Sequence, residues 1–288
     1  MSVFCLTLVL LSAVLHVIQH VALKRARDRS SFVWWMWLWA SVAFLPVPIF
    51  FWESGSALAW VILALSAVFE ACYYISITKA YQTGDLSLVY PLARGSAPLL
   101  ILAWSLLLLR ERPTGGGVCG ILLIGLGLSL LNLPRLGAWR EIWRQWWQPA
   151  ARWALLAGLC ISAYTTIDKA GVRLLAPLLY TYLAMTMTLA WLTPGVLRAA
   201  GWRGLAAELK VSRLSSVVAG ISAMAAYGLV LYVMRMGVPA SYVGAAREIS
   251  VVLGAIVGVV FLKERGTVMR VSGSALIAAG VGAIAILG

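Results

Sequence analysis

The sequence is short of acid and of everything that would build a water-facing surface. Of its 288 residues only 10 are Asp or Glu, and charged residues of both signs make up 11%, against about 25% in soluble domains. Apolar residues reach 62%, more than a soluble fold can bury, because its exterior must stay partly polar. Histidine is nearly absent, with 2 residues. The four cysteines (Cys5, Cys72, Cys119, Cys160) stand in separate apolar runs. They have no metal-ligand spacing and read as buried, reduced thiols. A nucleotide-binding G-x-x-x-x-G-K-[ST] loop is missing, and no stretch alternates apolar and polar residues as a membrane β-barrel strand must. The first apolar run has no positive start; Lys24-Arg25-Ala26-Arg27 follows it, so it reads as a retained helix and not a cleaved signal.

What the chain does have is long continuous apolar runs: 2–23, 32–52, 57–80, 86–109, 115–133, 153–172, 177–197, 213–234, 239–262 and 269–287. A bilayer core is about 30 Å thick and takes about 20 apolar residues in a helix. The runs therefore predict an all-α integral membrane protein of ten transmembrane helices, with no length left for a soluble catalytic domain. The net charge of +13 sits mostly between the runs, where it sets topology and meets anionic headgroups; nucleic acid is not an expected partner. Between Pro134 and Pro149, Trp139, Trp143, Trp146 and Trp147 share a helical face opposed by Arg140, Glu141, Arg144 and Gln145. That pattern predicts an interfacial amphipathic helix.

The chain repeats itself. At an offset of 153 residues Tyr74 falls on Tyr227, Gly84 on Gly237, Arg94 on Arg247, Glu111-Arg112 on Glu264-Arg265, Gly120 on Gly273 and Gly127 on Gly280. Residues 1–133 form the first five-helix repeat, 134–152 the linker, and 153–288 the second repeat. Five is odd, so the second copy enters the membrane from the other side and the repeats are inverted. Lys and Arg crowd the loops after runs 1, 5, 7 and 9 (among them Arg198, Arg203, Lys210 and Arg213), which places both termini outside by the positive-inside rule.

This organisation, with Gln82-Thr83-Gly84-Asp85-Leu86-Ser87-Leu88-Val89-Tyr90-Pro91-Leu92-Ala93-Arg94 and Leu109-Arg110-Glu111-Arg112 in one half and Tyr164-Thr165-Thr166-Ile167-Asp168-Lys169-Ala170-Gly171 and Phe261-Leu262-Lys263-Glu264-Arg265 in the other, resembles the EamA group of the drug/metabolite transporter superfamily. The resemblance implies a central cavity lined mainly by helices 1, 3, 4, 6, 8 and 9, and termini in the cytoplasm, opposite to the loop-charge reading.

Ionisable residues inside spans are costly and mark sites or partners. Arg94 and Arg247 lie at mirrored depths; two guanidiniums could clamp a carboxylate or phosph(on)ate, or be held in a salt bridge by Glu248. Glu70, in mid-span, is a candidate for a coupling proton or for a fixed pair with Lys79 or an arginine. His16 and His20, four apart on one face, are interhelical hydrogen-bonding groups or a proton-responsive lining. Asp168-Lys169 reads as self-compensating near the boundary, with Asp168 also a lining candidate. Tyr74, Tyr227, Tyr90 and Tyr242 are either aromatic cavity walls or packing. Pro91 and Pro98 can kink helix 4 into a gate. Gly116 with Gly120 and Gly254 with Gly258 are spaced for close helix contact, within the chain or in a dimer.

Together these features predict a secondary transporter of a small polar or anionic organic metabolite, working by alternating access in a bacterial cytoplasmic (inner) membrane. It would need no cofactor or metal, couple transport to protons or to exchange, and act as monomer or homodimer. A flippase for a lipid-linked or amphipathic substrate is the alternative within transport, and an integral-membrane enzyme the alternative outside it.

Overall fold

A computed structural model of the chain describes residues 1–83, 86–131, 148–253, 256 and 268–288. Every element among them is helical: α1 (Val3–Lys24), α2 (Arg29–Ala43), α3 (Pro46–Phe50), α4 (Ala57–Thr83), α5 (Leu86–Leu107), α6 (Gly115–Leu131), α7 (Pro149–Gly171), α8 (Pro177–Ala199), α9 (Gly201–Arg235), α10 (Ala240–Ala246) and α11 (Val268–Leu287). Six helical stretches among the described residues are long and apolar enough to cross a membrane, and two more, Leu92–Leu107 and Gly115–Leu131, are apolar but shorter. The tryptophan helix expected at 134–152 lies outside the described residues except for its end, where Pro149 opens α7.

Three expected runs differ in outline. The second is divided at Phe44–Leu45, where Pro46 starts the short α3, as expected of a residue that has no N–H to continue the preceding helix. The basic stretch expected as a loop before run 8 is helical from Gly201 and bends at Ser212, whose φ of −120° and ψ of 18° leave the helical range. The ninth run is not one helix. After Ala246 the chain turns at Arg247–Glu248 and resumes helix at Ile249, with Glu248 N–H donating to Ala245 O at 3.0 Å and Ser250 N–H to Arg247 O at 3.0 Å. These i→i+3 bonds tighten the turn relative to an α-helix.

The chain forms two compact units, one of Met1–Leu10, Cys72–Thr166 and Val238–Gly288, the other of Leu11–Ala71 and Ile167–Gly237. In the first, α6 packs along α11 through glycines. A Cβ on Gly120 would meet the Gly280 carbonyl at 2.7 Å and one on Gly127 the Gly273 carbonyl at 2.6 Å. Ascending α6 thus meets descending α11, so the two run antiparallel. Since the 153-residue offset relates Gly120 to Gly273 and Gly127 to Gly280, each glycine meets the repeat-mate of the other. Gly116 likewise faces Leu287, so its spacing serves contact within the chain; Gly254 and Gly258 lie outside the described residues. Small side chains also join α4, α5 and α7, with Ala80, Val89, Ala93, Ala150, Ala154 and Ala157 in one buried cluster. Close backbone approach of this kind is what holds helices together where lipid offers no hydrophobic drive.

Helix ends receive side chains from other elements of their own unit. Arg110 takes the left-handed conformation (φ 52°) after α5, with Glu111 N–H closing on Ser105 O at 2.9 Å. That turn delivers the Glu111 carboxylate to the Ala240 N–H, at 3.0 and 3.1 Å, capping the start of α10. The acidic residue of the Glu-Arg motif therefore has a structural job in the first half. In the second unit Asp28 caps α2 through Ser30 N–H at 3.2 Å and Ser31 N–H at 3.3 Å, and Glu208 accepts the Asp28 N–H at 2.9 Å.

Gly120→Leu and Gly280→Leu are each expected to lose about 1–3 kcal/mol by overpacking the seam. Gly282→Leu, with nothing within 4 Å of its Cβ direction, is expected to leave stability unchanged. Thermal unfolding of the purified variants in detergent measures this, and equal melting of all three would reject the seam.

Candidate functional site

The break in the ninth run gathers the residues on which the sequence reading placed most weight. Arg94 is carried by α5, two turns in from its start. Arg247 and Glu248 occupy the tightened turn after α10. All three are buried, in one compact unit, and Arg94 Nε stands 3.3 Å from Glu248 Oε2. The expected salt bridge thus forms, and it is adjacent in sequence to the second guanidinium. Pro98, buried in α5, has no N–H to give back to the turn that carries Arg94. The helix runs continuously from Leu86 to Leu107. The side chains of Tyr90 and Pro91 lie outside the described residues. Tyr242, on α10, accepts the Thr114 N–H at 2.7 Å at the start of α6, which makes it a packing and capping residue.

The second unit holds a separate polar cluster. Asp168 on α7 is fully buried and receives three hydroxyls: Tyr180 of α8 at 2.7 Å, Ser66 of α4 and Tyr227 of α9. Gly171, one turn after Asp168, is where α7 makes room for the Tyr180 ring, since a Cβ there would overlap it. Glu70, one turn beyond Ser66 on α4, is buried and accepts from Thr188 at 3.3 Å, a residue of α8 two turns after Tyr180. An ionised carboxylate is an acceptor-only group, and hydroxyl donors satisfy it where water is absent. Four helices therefore converge on two carboxylates.

Ser66, Tyr180 and Thr188 were not singled out from the sequence. The available signal was the spacing of Ser66 and Glu70, four residues apart and so on one helix face. Nothing in the apolar run 177–197 distinguishes Tyr180 and Thr188 from tyrosines and threonines that only pack.

Other candidates fall elsewhere. Lys169 follows Asp168 near the end of α7. It is buried and donates to the Met234 carbonyl at 2.6 Å in the last turn of α9, while Arg235 returns a bond to the Val172 carbonyl just past α7. Two cations thus exchange helix C-termini, the end that carries negative partial charge. Lys79, considered as a partner of Glu70, lies 4.5 Å from the Trp153 ring centroid in the other unit. His16 and His20 are joined Nε2 to Nε2 at 2.9 Å, a contact in which one ring donates and the other accepts. Of the repeat-related tyrosines, Tyr227 donates to Asp168, and the Tyr74 ring lies tilted against that of Tyr73, centroids 4.9 Å apart. Among the described residues no group of three or more potential metal ligands occurs.

Tyr227→Phe and Tyr180→Phe are each expected to destabilise the protein by about 1.5–3 kcal/mol, the value of a hydrogen bond to a charged group. Asp168→Ala should exceed either by stranding all three donors. Chemical denaturation in detergent checks this, with Tyr232→Phe, exposed on the same helix, as the reference; losses no larger than the reference would contradict the cage.

Comparison with known proteins gives the family. A chain described as "Crystal structure of protein" superposes with a TM-score of 0.74 at 17% sequence identity, covering 100% of this chain and 98% of that one. At this identity the likeness concerns fold alone. No curated protein gives a significant match. The family model described as "EamA-like transporter family" matches residues 3–133 and again 148–286. With both matches falling on apolar helices long enough to span a bilayer, this integral membrane protein belongs to the EamA-like transporter family.

Proposed function

We propose that the protein is a secondary transporter that moves a small polar or anionic organic metabolite by alternating access, its ten spans arranged as two inverted five-helix repeats in a bacterial cytoplasmic membrane. The observation that carries the reading is the interrupted ninth run. In secondary transporters, discontinuous helices place backbone ends and charged side chains at the substrate. Here the interruption holds Arg247 and Glu248, buried, with Arg94 Nε 3.3 Å from the Glu248 carboxylate.

Guanidinium groups bind carboxylate and phosphate in two-point geometry. An anionic substrate would take the place of Glu248 on Arg94, and its departure would let the internal pair re-form. Binding by exchange of partners keeps the arginines from being stripped of counter-charge in an apolar medium, where a lone buried ion is strongly disfavoured. The antiparallel α6–α11 seam, in which repeat-mates meet reciprocally, supports the inverted arrangement.

Proton coupling is assigned to Glu70. Its carboxylate is buried within the span α4 and hydrogen-bonded to Thr188, and an intramembrane carboxylate of this kind is a recognised proton relay. Asp168, fixed by three hydroxyls, would hold the helices on which Glu70 and Thr188 ride. The chain would work as monomer or homodimer.

Reconstitution into liposomes, followed by a screen of labelled organic anions, tests the proposal. Arg94→Ala and Arg247→Ala should each lower uptake of the substrate by at least about tenfold, the effect of one lost charge-assisted hydrogen bond. Full-rate transport by both variants would remove the arginines from the site. Glu70→Gln should abolish uptake driven by a pH gradient while sparing exchange of labelled for unlabelled substrate; unchanged pH-driven uptake would reject the coupling role.

A further inference from the structure

The bend of α9 opens a groove that neither the arginine cluster nor the carboxylates use. It has a volume of about 340 Å³ and is lined by Trp39, Leu209, Lys210 and Arg213. Its origin is local. At Ser212 the helix leaves regular geometry, and serine hydroxyls bond back to the carbonyls around the bend: Ser212 to Glu208 at 2.8 Å, Ser215 to Ser212 at 2.9 Å and Ser216 to Arg213 at 2.9 Å. Serine back-bonding is a known cause of helix bending.

The stretch of α9 before the bend has two unlike faces. Leu205 and Glu208 are buried toward α2; Trp35 donates to the Leu205 carbonyl at 2.8 Å, and Glu208 holds the Asp28 N–H. The outer face exposes Trp202, Val211 and Leu214 together with Arg203, Lys210 and Arg213. Apolar and cationic groups side by side suit the headgroup layer, not water. Arg213 is also the first residue of the apolar run 213–234, so the groove opens at the edge of the hydrocarbon, where lipid phosphates lie.

Two cations line this space, and the indole N–H of Trp39 lies buried beside it, unpartnered among the described residues. The Trp39 ring is fixed by stacking on Trp35, centroids 5.8 Å apart at 22°. Among the described residues no carboxylate pairs with Lys210 or Arg213, and the acid nearest in sequence, Glu208, is turned inward. Two cations, one buried N–H and an apolar wall of Leu209 and the Trp39 ring match an amphiphilic anion.

We propose that this groove is a binding site for an anionic phospholipid, with the phosphate on Lys210 and Arg213, an oxygen of the headgroup or glycerol ester on the Trp39 N–H, and an acyl chain along Leu209. The lipid joins α2 to both sides of the α9 bend and so braces the unit that carries Asp168 and Glu70. The assignment does not depend on which substrate the protein carries.

The test is a thermal-shift titration of the purified protein in neutral detergent with phosphatidylglycerol, phosphatidylcholine and inorganic phosphate as separate probes. Phosphatidylglycerol is expected to raise the melting temperature saturably, and the other two are not. Lys210→Gln combined with Arg213→Gln should raise the half-saturating lipid concentration about thirtyfold, through loss of two cation–headgroup attractions. Trp39→Phe should raise it less, and Arg198→Gln, a cation outside the groove, not at all. Since Lys210 and Arg213 are exposed, the double variant is expected to fold, and its own melting temperature without lipid verifies that. An equal shift with phosphatidylcholine, an equal shift with inorganic phosphate alone, or unchanged titration of the double variant would each overturn the site.

Discussion

Inside a bilayer there is no water to satisfy a stray polar group, so every carbonyl, amide and charge must find its partner within the protein. This constraint explains the regularities of the chain better than hydrophobicity does. Helix ends are not left to solvent. Glu111 caps the start of α10, and Lys169 and Arg235 exchange the ends of α9 and α7. Asp168 is enclosed by hydroxyls from three other helices, and Glu248 is held by Arg94. Where no polar partner is needed, helices approach until backbone touches backbone, as α6 and α11 do through Gly120, Gly127, Gly273 and Gly280.

The same constraint bears on how the buried charges are used. Lys169 and Arg235 are spent on carbonyls at helix ends, a fixed use that any bundle needs. Arg247 and Glu248 are placed otherwise, at a turn interrupting an apolar run, and Arg94 reaches Glu248 there from α5. The backbone of the turn stays hydrogen-bonded, Glu248 N–H to Ala245 O and Ser250 N–H to Arg247 O, and the substrate site proposed above sits on it. The proposed exchange of partners, substrate for Glu248, makes the buried charge tolerable in both states.

Much of this was legible in the chain alone. Apolar runs announce helices because hydrocarbon selects length and composition directly, and the 153-residue offset announces the duplication. The break at Arg247–Glu248 was not legible as a break, since its flanks are as apolar as any other span. The bend at Ser212 was hidden for the opposite reason: Arg203, Lys210 and Arg213 make a helical stretch look like a loop. The hydroxyl cage was invisible because a tyrosine or threonine in an apolar run carries no mark of what it will meet on another helix. Repeat symmetry pairs Tyr74 with Tyr227 but gives no sign that Tyr227 donates to Asp168.

The proposed function rests on one helical unit used twice, the second time, in our proposal, upside down. Gly115 and Val268 occupy equivalent places in the two copies, at the starts of α6 and α11, and the antiparallel seam sets those starts at opposite ends. In a background with the four native cysteines replaced by alanine, Gly115→Cys and Val268→Cys can each be labelled with a membrane-impermeant maleimide in sealed vesicles of one orientation. The account predicts that one of the two reacts at once and the other only after the vesicles are permeabilised. Labelling of both from the same side would contradict it.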